Sequence, residues 1–164
     1  MKPTPHTPSG DSRPPAEGIL SAGLGRAHDG LSAKIRAVDK AISGETSPAA
    51  RLATFGDLTR AIADHFRFEE ESLFPNLLLV TGDQASAAVG ILQKEHVELL
   101  RHLEATGAAL RSGGDARKAF EGFRKLLSTH QAREMAIVYP LSDILLPPSL
   151  RRLIAELLPG SSSG

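Results

Sequence analysis

Four histidines and two glutamates in this chain of 164 residues stand at spacings that suit metal ligation. His65 precedes Glu69 by four positions, and His130 precedes Glu134 by four. His28 lies 37 residues before His65, and His96 lies 34 before His130. On a helix, side chains four apart leave the same face about one turn from each other. Each His-x-x-x-Glu pair can therefore present two donors to one point. Imidazole and carboxylate without thiolate suit iron, manganese or zinc, and six donors exceed what one tetrahedral zinc uses. Four imidazole nitrogens, two bridging carboxylates and one bridging oxygen would fill all but two positions of a pair of octahedral ions. Such ions stand about 3.5–4 Å apart, a span that a carboxylate can bridge. The two open positions would serve a small molecule.

Four long helices are needed to position these groups, and the apolar spacing predicts them. The first runs from about Glu17 to Ile42 on Leu20, Leu24, Leu31, Ile35, Val38 and Ile42. Ser47-Pro48 starts the second, which carries Leu52, Phe55, Leu58 and Ile62 and is expected to stop around Pro75 to Leu79. Thr81-Gly82-Asp83 is a turn. The third carries Val89, Leu92, Leu99, Leu103 and Leu110 and ends at Ser112-Gly113-Gly114, with Asp115 as N-cap of the fourth. The fourth carries Phe120, Phe123, Leu127 and Ile137 and is expected to end near Pro140. A short C-terminal helix covers about Pro148 to Leu158. No segment alternates at period two, so no strand is expected. The predicted fold is all-α: an antiparallel up-down-up-down four-helix bundle with a short C-terminal helix.

The bundle repeats internally. Phe55–Pro75 and Phe120–Pro140 align without gaps, and their four identities are the initial Phe, the His, the Glu and the final Pro. The residue before each Pro is aromatic, Phe74 and Tyr139. Leu58 pairs with Phe123, Ile62 with Leu127 and Leu73 with Val138. All six candidate ligands lie on the apolar stripes: His28 between Leu24 and Leu31, His65 and Glu69 after Ile62, His96 between Leu92 and Leu99, and His130 and Glu134 after Leu127. A lone histidine on such a stripe is usually a hydrogen-bonded core residue, and a lone His-x-x-x-Glu is usually a surface pair. Six matched positions call for more, because buried carboxylates without an interior Lys or Arg need a cation. His102 falls on another face and reads as surface. Glu70, Glu71, Glu95 and Glu98 flank the stripes as solvated groups or as partners that orient imidazoles. Tyr139 either donates a hydrogen bond or an electron near the site, or packs at the helix end as Phe74 does; packing is the reading its position favours.

Composition narrows the function further. Nineteen Lys and Arg balance nineteen Asp and Glu, which argues against a nucleic-acid or anionic-membrane partner. Without cysteine there is no disulfide, thiolate nucleophile or iron–sulfur cluster. No apolar run is long enough to span a membrane, and the N-terminus lacks a signal-peptide core, so a cytoplasmic protein is expected. Residues 1–15, with five prolines and His6, are expected to be a disordered tail. Residues 16–159 form the bundle domain, and residues 160–164 a flexible tail.

With its ligands in this order the chain resembles the hemerythrin-like (HHE cation-binding) family of non-haem di-iron four-helix bundles, over about residues 17–145. The segment HFRFEEESLFP resembles that family's second-helix motif, with His65 and Glu69 as ligands; His28, His96 and His130 resemble the ligands of the first, third and fourth helices. The resemblance implies two non-haem iron ions with a bridging oxo or hydroxo group. Oxygen-carrying hemerythrins have a His-x-x-x-His pair on the third helix and an Asp five residues after the fourth-helix His. Here Leu92 and Leu100 flank His96 at four residues, and Glu134 stands at plus four instead. This order is similar to that of bacterial hemerythrin-like proteins and of di-iron proteins linked to repair of iron centres and nitric oxide metabolism. The resemblance and the open positions together imply a peroxidase-like or nitric-oxide-consuming oxidoreductase. The alternative is a module that binds or senses oxygen or nitric oxide reversibly, or handles iron, without turnover. Either way the expected partner is a small molecule: oxygen, peroxide or nitric oxide.

Overall fold

The computed structural model describes residues 18–158. The expectations for the two tails, His6 included, lie outside the described residues. Helix α1 spans Ile19–Ser43. Helix α2 spans Pro48–Phe68 and runs through a five-residue π turn, Glu69–Leu73, into α3, Phe74–Thr81. Helix α4 spans Asp83–Ser112. Helix α5 spans Ala116–Arg133 and runs through a second π turn, Glu134–Val138, into α6, Tyr139–Leu145; α7 spans Pro148–Glu156. The described residues contain no strand. Helix α1 packs on α2, α2 on α4, α4 on α5 and α5 back on α1, which closes the ring of a four-helix bundle, while α3 and α6 meet at one end and α7 lies on α1.

The connections follow from the residues at the breaks. Ser47 caps α2 by accepting from the Ala50 N–H at 3.3 Å, and Asp115 caps α5 by accepting from Lys118 at 3.0 Å. Gly113 ends α4 at φ 75°, a left-handed conformation that glycine adopts without strain. Helix α1 has no cap of its own. Its first turn borrows the carboxylate of Asp143 in α6, which accepts from the Leu20 and Ser21 N–H groups at 3.0 and 2.8 Å. A negative charge there also opposes the positive end of the helix dipole.

The two π turns correct the expected helix ends. The fourth helical rod does not stop near Pro140 but continues to Leu145, and the second, expected to stop around Pro75 to Leu79, reaches Thr81. Proline normally breaks a helix because its ring meets the carbonyl four residues back and it has no N–H. Here the N–H groups of Phe74 and Tyr139 bond five residues back, to the carbonyls of Glu69 and Glu134. Each proline then opens the following segment, where no intrahelical donor is needed. The widened turn also shifts the phase of the stripe. Ile137, expected in the core, is 41% exposed, and Val138 is buried in its place.

The interior falls into two apolar blocks with a polar layer between them. One block gathers Leu20, Leu24, Leu73, Leu77, Val89, Leu92, Val138 and Ile154. The other gathers Leu31, Phe55, Leu58, Ile62, Leu99, Phe120, Phe123 and Leu127. At roughly 1.5–3 kcal/mol per large apolar side chain removed from water, these blocks supply the stabilisation that a buried polar layer draws on.

Candidate metal centre

The polar layer consists of the six residues singled out by spacing. His28, His65, Glu69, His96, His130 and Glu134 are all buried, and both carboxylates are fully so. Leu24, Leu31, Ile62, Leu92, Leu99 and Leu127, one turn away along the same stripes, are buried as well and keep bulk water from the layer.

The four imidazoles form two pairs that point Nε2 inward. His28 Nε2 lies 3.2 Å from His65 Nε2, and His96 Nε2 lies 3.2 Å from His130 Nε2. Each carboxylate offers one oxygen to each pair. Glu69 Oε1 stands 3.6 Å from His65 Nε2, and its Oε2 stands 3.3 Å from His96 Nε2. Glu134 Oε2 stands 3.3 Å from His28 Nε2, and its Oε1 stands 2.8 Å from His130 Nε2. Ligand atoms of Glu69, His96, His130 and Glu134 all fall within 4.8 Å of one another, and so do those of His28, His65 and Glu134. The layer thus holds two overlapping donor sets that share Glu134.

The donors fit a cation. Glu69 Oε2 and both oxygens of Glu134 are buried without an aligned hydrogen-bond donor. Among the described residues no Lys or Arg pairs with either carboxylate; their close neighbours are imidazoles and, at Glu69 Oε1, the Tyr139 hydroxyl. Buried carboxylates in that state are costly, and converging imidazole lone pairs gain nothing from each other. A positive ion between them resolves both.

The charges respond to one another. Burial pushes the His65 imidazolium down to about 4; the neighbouring imidazoles add to the fall and Glu69 only partly opposes it. Burial also disfavours the charged form of His130, but the close carboxylate of Glu134, with Glu95 and Glu69, outweighs it and raises this group. Burial would raise Glu134, yet the facing imidazoles of His130 and His28 hold its carboxyl at about 2.

Outer nitrogens of one pair are tied to carboxylates. His96 Nδ1 lies 2.7 Å from Glu70 Oε1, and His130 Nδ1 lies 3.0 Å from Glu95 Oε2. Arg133 pairs with Glu95 in turn. Phe66 stacks on His96 with ring centres 3.8 Å apart. Of the flanking glutamates, then, Glu70 and Glu95 orient imidazoles, while Glu71 is exposed and Glu98 pairs with Arg101. His102 is outside the layer, half-buried against Gly122 of α5. Tyr139 does more than pack. Its buried hydroxyl donates to Glu69 Oε1 at 2.5 Å and lies 3.0 Å from His28 Nε2. Burial, then the charges of Glu69 and Glu134, push this phenol well above its usual value, so it stays a donor. The repeat places Tyr139, like Phe74, five residues after a ligand Glu, but only the fold gives its hydroxyl a role.

The match to a known family falls on this same stretch of chain. The model of the hemerythrin HHE cation-binding domain matches residues 21–142. The chain belongs to the hemerythrin family. Comparison with curated proteins and with solved structures finds no match. An HHE domain binds metal cations, and in this hemerythrin domain the His and Glu layer is the place that could hold them. No helix among the described residues is long and apolar enough to cross a membrane.

Proposed function

We propose that the chain holds two non-haem iron ions, joined by a bridging oxo or hydroxo group, and consumes small oxidants such as peroxide or nitric oxide. One ion would take His28 and His65, the other His96 and His130, with Glu69 and Glu134 bridging. The observation that carries this reading is the division of each carboxylate between the two histidine pairs, one oxygen to each. Iron so held would supply Lewis acidity, and would pass electrons from an external donor to the oxidant.

The chain's own residues do the rest. Glu70 and Glu95 accept from Nδ1 of His96 and His130 and so direct each Nε2 lone pair inward. Tyr139 keeps its proton on the side of Glu69 and His28. The leucine and isoleucine shell excludes bulk water. With each carboxylate giving two oxygens, the six residues would leave four positions of two octahedral ions for an oxygen bridge and for substrate. Consumption of peroxide or nitric oxide would serve defence against oxidative or nitrosative stress. Stopped-flow spectroscopy of the reduced, iron-loaded protein tests this against oxygen, peroxide and nitric oxide in turn. Rapid oxidation by oxygen is expected, and, with an added electron donor returning the iron to the ferrous state, catalytic loss of peroxide or nitric oxide. Reversible oxygen uptake without turnover would make the protein a carrier or sensor instead.

A further inference from the structure

A groove between α1 and α2 reaches the layer at His65. It encloses about 680 Å³, and Arg26, Gly30, Lys34, Ala61, Asp64 and His65 are among its walls. His65 is only 2% exposed, and its Nδ1 has no hydrogen-bond partner. The contrast with the other pair is direct: Nδ1 of His96 and of His130 each meets a carboxylate of the chain. A histidine that ligates through Nε2 carries its proton on Nδ1, and a buried N–H without an acceptor is costly.

The groove is charged to receive such an acceptor from outside. Arg26 and Lys34 flank Gly30 one turn to either side, and neither has an ion-pair partner among the described residues. Asp64, the carboxylate in the wall, is held by Arg67 at 2.8 Å. A Cβ added at Gly30 would meet nothing within 4 Å, so the space between the two cations is open.

We propose that this groove is a binding site for one small monovalent carboxylate-type anion, of the formate or bicarbonate class, held by Arg26 and Lys34 and accepting from His65 Nδ1. The anion takes the place at His65 that Glu70 and Glu95 take at His96 and His130. The inference goes beyond the oxidant chemistry proposed above and uses from it only the ligation of His65 through Nε2.

Sodium formate is the probe. Calorimetric titration of the iron-loaded protein at fixed ionic strength should show one saturable site whose filling leaves the iron absorption bands in place. Arg26→Gln with Lys34→Gln should weaken it at least tenfold. Gly30→Glu, which supplies a carboxylate from the chain itself, should abolish it. Both variants should keep the iron content of the parent. No saturable binding, or binding that shifts the iron bands and ignores these substitutions, would overturn the proposal. Iron analysis of the same samples is a separate readout: a chain without two ions would sink the dinuclear reading, while formate binding that depends on Arg26 and Lys34 would stand.

Discussion

The two histidine pairs come from equivalent positions of an internal repeat, yet they are not equivalent sites. The His96/His130 pair is closed in: carboxylates occupy both outer nitrogens, Phe66 and Phe74 lie against His96, and Arg133 ties Glu95 down. The His28/His65 pair is open. Both residues line grooves on the two sides of α1, and Nδ1 of His65 has no partner. Where the closed half has the Phe74 ring, the open half has the Tyr139 hydroxyl. The repeat therefore sets the donor set, and the residues beside it decide which half is fixed and which is approachable. The closed half should bind its metal ion more tightly.

Four changes would break or sharpen that contrast. Glu69→Ala or Glu134→Ala should have the largest effect, because each carboxylate serves both halves. Metal analysis after anaerobic iron loading should fall from two ions per chain to one or none.

Next comes pH. In the iron-free protein His65 and His130 should titrate with opposite sign. Folded His65 resists protonation until about pH 4, whereas an unfolded histidine takes a proton near 6.5. Between those values the unfolded chain binds more protons, so stability falls with falling pH, by about 3 kcal/mol from this residue. His130, raised in the fold, contributes stability that is present below 6.5 and lost as pH rises through its folded value. Denaturant titrations from pH 7.5 to 4 should show His65→Gln flattening the acid-side loss and His130→Gln deepening it.

Glu70→Gln with Glu95→Gln should speed removal of one of the two ions by a chelator about 10–100-fold, the usual effect of losing a carboxylate behind a ligating imidazole, and leave the other ion unchanged. The smallest effect belongs to Tyr139→Phe, which gives the open half the ring that the closed half already has. Iron content should stay at two, and thermal unfolding should report a loss of about 1–2 kcal/mol from the bond to Glu69.

Much of this was legible in the sequence because chemistry and periodicity coincided. Histidines on leucine stripes, with a glutamate one turn on, specify both the bundle and the layer inside it. What the spacing missed is the extra residue in each π turn. A period of 3.6 places Ile137 inward and ends the helices around Pro75 to Leu79 and near Pro140, whereas hydrogen bonds from Phe74 and Tyr139 to the carbonyls five residues back carry the chain on and turn Val138 inward. The pattern of Glu, then an aromatic five later, then Pro was visible in both repeats, but nothing in side-chain periodicity identifies a backbone bond. Spacing favours packing for Tyr139 for a related reason: from helical spacing alone it equals Phe74, and its hydroxyl acquires a role only once α6 lies beside His28 and Glu69. The cap that Asp143 gives to α1 depends likewise on a contact more than a hundred residues distant in sequence.

The central claim is a dinuclear centre with unequal halves, and anaerobic titration of the iron-free protein with ferrous iron tests it most directly. The account predicts an end point at two ions per chain, reached in two steps, the tighter of which is weakened about 10–100-fold in the Glu70→Gln, Glu95→Gln variant. An end point at one ion, or two identical steps that ignore Glu70 and Glu95, would contradict it.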